Sequence, residues 1–330
     1  MTLDPKRILR RLIPIILIGI TGNILFTIYT SEIGLFQLLS QFSIGYLMLG
    51  LALAFFPWLC HIFRLKIWCG FLGNQLSNKD CLRIVIVQDV GNSITPTAVG
   101  GTPIKYGLLL QKGFSHAQTS IIITLQILED LVFLFTSLPL ALYFTGGFRN
   151  PMVIKIKDDL LQYSTHLFWV IPLLILLVLA AGGLIRKSKK ERTDGKSWGY
   201  KLRKTWLEFL VTAKFVIQKG KLRFLASASI MFIEWTCRFS IPIALAYGLG
   251  VEADFIQLFL LQWVIFFAML ITPTPGATGG AEAIFYYLFI PFVPGGLIGF
   301  LITGWRFLSY YLVTLVGAVI LQTIGVIDKE

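Results

Sequence analysis

Glu129, Asp130, Glu234, Arg238 and Arg306 stand inside runs of apolar residues, the setting in which a charge is hardest to keep. Ionisable side chains at such positions pair with one another or line a path for a polar ligand. Glu234 and Arg238 are four residues apart, so on a helix they share a face and neutralise each other. That spacing serves a structural pair and a binding site equally well. Glu129 and Asp130 are neighbours and point in different directions on a helix. Arg306 has no acidic residue close to it in sequence, which leaves Glu282, Glu129, Asp130 or a ligand anion as its counter-charge.

Glycines suggest a second kind of chemistry. Gly100 and Gly101 precede Lys105, while Gly276 and Gly279 precede Glu282. Both sets fall where a helix is expected to begin. A helix N-terminus exposes unpaired N–H groups and a positive dipole end, and glycine lets a ligand approach the backbone. The pattern suits a phosphate held between two tips; it suits simple capping of buried helix ends as well. For Lys105, one turn into its helix, the functional role is favoured, because an unpaired cation at that depth is costly.

The elements that must position these residues are membrane helices. Of 330 residues, 56% are hydrophobic and 14% charged, and the mean hydropathy is +0.77. A soluble chain carries about a quarter charged residues, so a soluble enzyme is excluded. The net charge of +12 collects in two places, residues 1–11 and residues 186–223, and the rest is near neutral. Basic clusters beside apolar runs mark cytoplasmic loops rather than a nucleic-acid surface.

Six runs approach the ~20 residues a crossing needs: Ile13–Tyr29, Phe42–Cys60, Ile121–Phe144, Leu167–Ile185, Phe224–Leu249 and Leu297–Ile320. Two further regions, 83–112 and 255–290, are broken at their middles by Thr95–Pro103 and Thr272–Gly280. Each half is too short to cross, so both read as re-entrant hairpins with buried tips. If the two basic segments share the cytoplasmic side, the hairpins enter from opposite faces. The 61–82 loop, with Arg64, Lys66 and Lys79, then lies inside, as do both termini. Ile94-Thr95-Pro96-Thr97 repeats as Ile271-Thr272-Pro273-Thr274. The expected fold is an all-α polytopic membrane protein: about six transmembrane helices plus two opposed hairpins, a single domain over 1–330 with inverted halves 1–150 and 160–325. Such repeats hold their ligand at the midplane.

The remaining residue types add little. Trp58, Trp68, Trp169, Trp206 and Trp305 fall near span ends and read as interfacial belts, and His61, His116 and His166 as surface residues. Cys60, Cys69, Cys81 and Cys237 show no metal or disulfide spacing. No nucleotide loop, nucleophile with its base or catalytic carboxylate pair is evident, so no catalytic residue, metal or cofactor is expected.

At the tips the sequence resembles the transmembrane family of lysylphosphatidylglycerol synthase/flippases and their stand-alone relatives. Pro275-Gly276-x-x-Gly279-x-x-Glu282 is similar to that family's P-G-G-x-G-x-x-E, with Ala277 in place of one glycine. Trp305-Arg306-Phe307-Leu308 resembles its arginine-led final helix. Pro96 to Gly100-Gly101 and Pro103-x-Lys105 resembles P-x-x-x-G-G-x-P-x-R, with Lys105 at the arginine. Leu128-Glu129 resembles its L-E-R segment, but Asp130, Phe133 and Thr102 depart from the usual residues. The resemblance implies a flippase of an inner membrane. Its substrate would be a phosphate-bearing lipid (an aminoacyl-phospholipid, polyprenyl phosphate or related), with the headgroup near Lys105, Glu282 and Arg306. The chain reaches Glu330 without an aminoacyl-transfer domain, so synthesis is not expected. The alternatives are an ion-coupled carrier of a small solute, using Glu129, Asp130 or Glu282 as proton sites, and an accessory protein of a lipid-modifying enzyme. A homo-oligomer is compatible with the sequence, and nucleic acid is not an expected partner.

Overall fold

A computed structural model describes residues 19–28, 42–95, 100–146, 198–272, 274–294 and 296–324, with isolated positions besides. The regular elements among these residues are all helices: α1 (Gly19–Ile28), α2 (Ile44–Phe71), α3 (Asn78–Ile94), α4 (Gly101–Gln111), α5 (His116–Phe144), α6 (Trp198–Lys219), α7 (Lys221–Gly248), α8 (Phe255–Ile271) and α9 (Gly280–Phe289). The last, α10, runs from Ile298 to Ile324. The expected span Leu167–Ile185, the basic stretch 1–11, His166 and Trp169 lie outside the described residues, as do Pro96–Val99.

Among the described residues, four helices, α2, α5, α7 and α10, are long and apolar enough to cross a membrane. None is regular throughout. Pro57, Pro139 and Pro242 each remove one backbone donor from within α2, α5 and α7, and α10 winds as a π-helix from Phe307 to Leu312. Polar caps mark where the chain turns between helices. Ser77 accepts from Asp80 N at 3.1 Å, and Asp254 accepts from Gln257 N at 2.8 Å. Ser115 and Gln118 form a reciprocal box at the start of α5. Each satisfies a donor that the first helical turn leaves unpaired.

Two expected boundaries are corrected. The second span does not stop at Cys60, and the 61–82 loop is mostly helix, because α2 continues to Phe71. Residues 186–223 are not one loop either: 198–219 form α6, and α7 begins at Lys221. In both stretches apolar residues continue at helical spacing among the charges.

Helices α2 and α7 lie antiparallel. Ser43 N donates to Gly248 O at 3.2 Å at one end, and the Arg223 guanidinium lies 4.5 Å from the Phe71 ring centre at the other. The two broken regions form two helix–turn–helix pairs, α3 with α4 and α8 with α9. Each pair is built into its own apolar cluster. Ile84, Ile86 and Leu109 pack with Trp68 and Leu321, whereas Leu261, Phe285 and Phe289 pack with Ile243 and Trp305. A third cluster is aromatic, with Phe133, Phe239 and Trp263 at its centre. Long helix α10 serves both pairs, its later half against α3 and its earlier half against α9.

Candidate functional site

Among the described residues, the charges near the middles of the helices gather into two clusters, apart from the Arg83–Asp80–Lys112 group at the start of α3 and the end of α4. The larger is centred on Arg64. Its Nε donates to Glu129 Oε2 at 2.9 Å, and its Nη1 donates to Glu234 Oε2 at 2.8 Å. Asp130 Oδ1 lies 3.4 Å from Nη2. The Trp68 indole donates to the other Glu129 oxygen at 2.7 Å. Glu129 and Arg64 are therefore buried but fully engaged, which is what makes a buried charge tolerable. Three helices supply this knot: α2, α5 and α7.

Two arms leave the knot. Along one, Glu234 Oε1 accepts from Arg238 at 3.3 Å, the i, i+4 pair expected on one face. Arg238 also lies 3.8 Å from Asp89, whose carboxylate accepts from the Trp58 indole at 2.9 Å. Along the other, His61 Nδ1 is 3.9 Å from Glu234, and His61 Nε2 is 3.1 Å from Lys105 Nζ. Lys105 also donates to Gln126 Oε1. Counting formal charges, three cations (Arg64, Lys105, Arg238) face four carboxylates (Asp89, Glu129, Asp130, Glu234).

Exposure divides this cluster. Lys105, Glu129, Arg64 and Glu234 are buried, but the side chains of Arg238 and Asp130 are 35% and 44% exposed. The Trp235 indole, between Glu234 and Arg238 on the same helix, donates to Asp130 at 3.1 Å. The rim of the cluster thus presents one arginine and one aspartate, steadied from behind by the buried knot.

The smaller cluster is closed. Arg306 Nε donates to Glu282 Oε1 at 2.7 Å, and Nη2 donates to Glu282 Oε2 at 3.1 Å and to Ala277 O at 3.2 Å. Glu282 Oε2 in turn accepts from Gly279 N at 2.7 Å. Of the counter-charges expected for Arg306, the structure selects Glu282. The pair clamps the 274–279 turn rather than presenting a cation to a ligand. Gly276, at φ +60°, lies under the Tyr310 ring, where any Cβ would collide. The Tyr310 hydroxyl donates to Ser93 O at 2.8 Å. One tyrosine therefore touches the last turn of α3 and the 274–279 turn together.

The glycine N–H groups are used internally. Gly100 N donates to Thr95 Oγ1 at 2.9 Å and Gly101 N to Asn92 Oδ1 at 2.8 Å. Gly101 also packs directly on the Gln88 carbonyl, which a Cβ would block. Of the two expected roles, capping is the one this geometry carries. Lys105 shares no partner with Arg306 or Glu282 among the described residues, so the residues expected around one headgroup fall into two separate clusters.

Other expectations are corrected. Trp58 and Trp68 are not belt residues: both are buried as donors to carboxylates. Trp305 is buried too, stacked on Phe285 at 4.7 Å; Trp206 is exposed. His61 is no surface residue, because the extension of α2 carries it into the cluster. His116 is exposed and bonds Tyr106 at 2.9 Å. The four cysteines are free, and no group of three metal ligands occurs among the described residues. Sequence reasoning missed Arg64, Asp89, Gln126 and Tyr310 as site residues. Asp89 carried the usable signal, a single charge inside the apolar run Ile84–Ile94.

Comparison with known proteins agrees with the resemblance at the tips. Residues 12–317 match the family described as the lysylphosphatidylglycerol synthase TM region. A UPF0104 membrane protein from Archaeoglobus fulgidus is 26% identical over 271 residues, which are 79% of this chain and 81% of that protein. The match covers both helix–turn–helix pairs, the whole Arg64 cluster and the Arg306–Glu282 clamp; the chain belongs to the lysylphosphatidylglycerol synthase transmembrane-region family.

Proposed function

We propose that the protein is a lipid translocase, moving a phosphate-bearing lipid between leaflets of a cell membrane rather than synthesising one. The supporting observation is the rim formed by Arg238 and Asp130. Glu129 and Asp130 sit at the middle of 29-residue α5, and Glu234 at the middle of 28-residue α7. At ~1.5 Å per residue these helices are about 42 Å long, longer than a ~30 Å hydrocarbon core. A third-exposed arginine one turn beyond that midpoint is costly against lipid tails. It is tolerable against water or a headgroup phosphate. Arginine's planar fork suits phosphate, and its neighbouring carboxylates hold it in place.

In this reading the two helix–turn–helix pairs are opposed re-entrant hairpins. Their arms of 17, 11, 17 and 10 residues span roughly 26, 17, 26 and 15 Å, short of the core thickness. The termini are cytoplasmic and the membrane is an inner membrane. The headgroup belongs at the Arg238 rim, while Lys105 and Arg306 shape the protein around it. The alternative, an ion-coupled solute carrier, draws support from one feature. His61 stands between the Lys105 amine and the Glu234 carboxylate, the order of groups a proton relay uses.

The test is movement of fluorescent phosphatidylglycerol in vesicles containing the purified protein, read by bleaching of the outer leaflet. Arg238→Gln is expected to slow movement at least about tenfold, ~1.4 kcal/mol of barrier, with unfolding temperature nearly unchanged. Full-speed movement in that variant removes Arg238 from the path and favours the solute carrier.

A further inference from the structure

A crevice of about 420 Å³ opens between α1, α2, the end of α7 and α10, and no charged side chain is among its described lining residues. Its size falls within the roughly 300–1,000 Å³ of small-molecule sites. Its walls are hydrocarbon, with Leu47, Leu245, Phe300 and Phe307 among them. The hydroxyls that reach it are already engaged. Thr27 Oγ1 donates to Gly299 O at 2.9 Å and lies 2.6 Å from Thr303 Oγ1, and the Tyr311 hydroxyl accepts from Asn23 at 2.8 Å. A polar solute or a headgroup gains little there, and water entering so apolar a cavity has few partners.

The mouth is apolar. Ile44, Leu47 and Phe307 line the crevice and are exposed by 75%, 40% and 45%. In a membrane the medium against such residues is hydrocarbon chain. An empty apolar space forfeits dispersion contacts on every wall, and the surrounding lipid supplies what would restore them. We propose that this crevice binds one hydrocarbon chain of a membrane lipid, entered sideways past Leu47 and Phe307.

The crevice also communicates with the turns. Phe307, Leu308 and Tyr311 line it and belong to the π-helical stretch of α10. Tyr310 of the same stretch reaches Ser93 and covers Gly276. A π-helical segment inside an α-helix is a frequent mark of a functional position. Here it carries chain contact on one face and turn contact on the other. The inference deepens the translocase reading by giving the tail a site separate from the headgroup rim.

The experiment uses the full chain in vesicles of phosphatidylglycerol and phosphatidylethanolamine, with a trace of phosphatidylglycerol bearing a diazirine in its acyl chain. After illumination and digestion, labelled residues are located by mass spectrometry. Labelling of Leu47, Phe300 and Phe307 is expected to exceed that of exposed Phe135 and Leu222 by about tenfold, a preference of ~1.4 kcal/mol. Leu47→Trp at the mouth and Gly304→Leu in the wall are each expected to abolish the excess while leaving Leu222 labelling unchanged. Two variants are used because the Leu245 side chain, 3.3 Å from a Cβ at Gly304, must yield to the second. Uniform labelling, or an excess that survives Leu47→Trp, overturns the proposal. Movement is read in the same vesicles. Uniform labelling with Arg238-dependent movement discards the crevice and keeps the translocase, whereas selective labelling without movement does the reverse.

Discussion

Arg306 and Arg238 are both arginines set in long apolar helices, and both face a glutamate. Their surroundings differ. Arg306 is buried, holds both oxygens of Glu282 and finishes on a backbone carbonyl, so that its Nε and Nη2 donors are spent on one closed turn. Arg238 holds Glu234 with a single 3.3 Å contact, reaches Asp89 only at 3.8 Å and keeps a third of its side chain exposed. A buried pair in which both carboxylate oxygens are held acts as a structural tie, because its carboxylate is wholly committed to the arginine and the turn. An undersaturated one that still faces a medium acts as a receptor. Charge inside a membrane helix is thus an ambiguous sign until its coordination is known.

The comparison can be broken at its strongest point first. Arg64→Leu leaves Glu129 and Glu234 buried without their main partner, and breaking a buried pair costs ~3–5 kcal/mol. The variant is expected to fail to accumulate as a monodisperse species in detergent. Monodisperse Arg64→Leu with a wild-type melting curve would contradict the knot as a tie. Arg306→Leu comes next, with an expected loss of about 3 kcal/mol in thermal unfolding. Because the defect is a stranded Glu282, the double change Arg306→Leu with Glu282→Leu is expected to recover most of it. No recovery would mean that Arg306 does more than clamp the turn.

Smaller effects sharpen the contrast. Arg238→Gln is expected to shift unfolding by ~1 kcal/mol or less, as for partly exposed pairs, despite its large effect on lipid movement. A loss as large as that of Arg306→Leu would place Arg238 among the ties. The smallest effect concerns Ala277, whose φ of +55° is left-handed. Such a conformation costs a residue with a Cβ roughly 1–2 kcal/mol. Ala277→Gly is expected to raise stability by a fraction of that, since glycine also loosens the unfolded chain. A lower melting temperature would show the methyl group to be needed by its apolar neighbours.

Much of the architecture was legible because its signals are local. Thr95–Pro103 and Thr272–Gly280 break the apolar pattern, and the helices on either side end and begin there, α3 at Ile94 and α8 at Ile271. The pair Glu234–Arg238 was legible for the same reason, both residues lying on one helical turn. The Arg64 knot was not. Its carboxylates stand 65 and 170 residues away, and a basic residue next to Lys66 and His61 reads as part of a cytoplasmic loop. Ending that span at Cys60 rather than Phe71 moved Trp68 and His61 outward along with Arg64. The tip glycines misled in another way: spacing announces a helix N-terminus, but not whether side chains such as Thr95 and Asn92 already occupy its donors.

Proline at position 242 of α7 has a mechanical consequence. It has no N–H to give the carbonyl four residues earlier, and that carbonyl belongs to Arg238. The backbone strut that would cross the level of the rim is therefore missing, and α7 lacks one of its ties beside its exposed cation. Bending at that joint tilts the Phe239–Gly248 end of the helix relative to the end that carries Glu234. The Arg64 contacts lie wholly on the Glu234 side, so α7 can flex there without pulling a single buried ion from its partner.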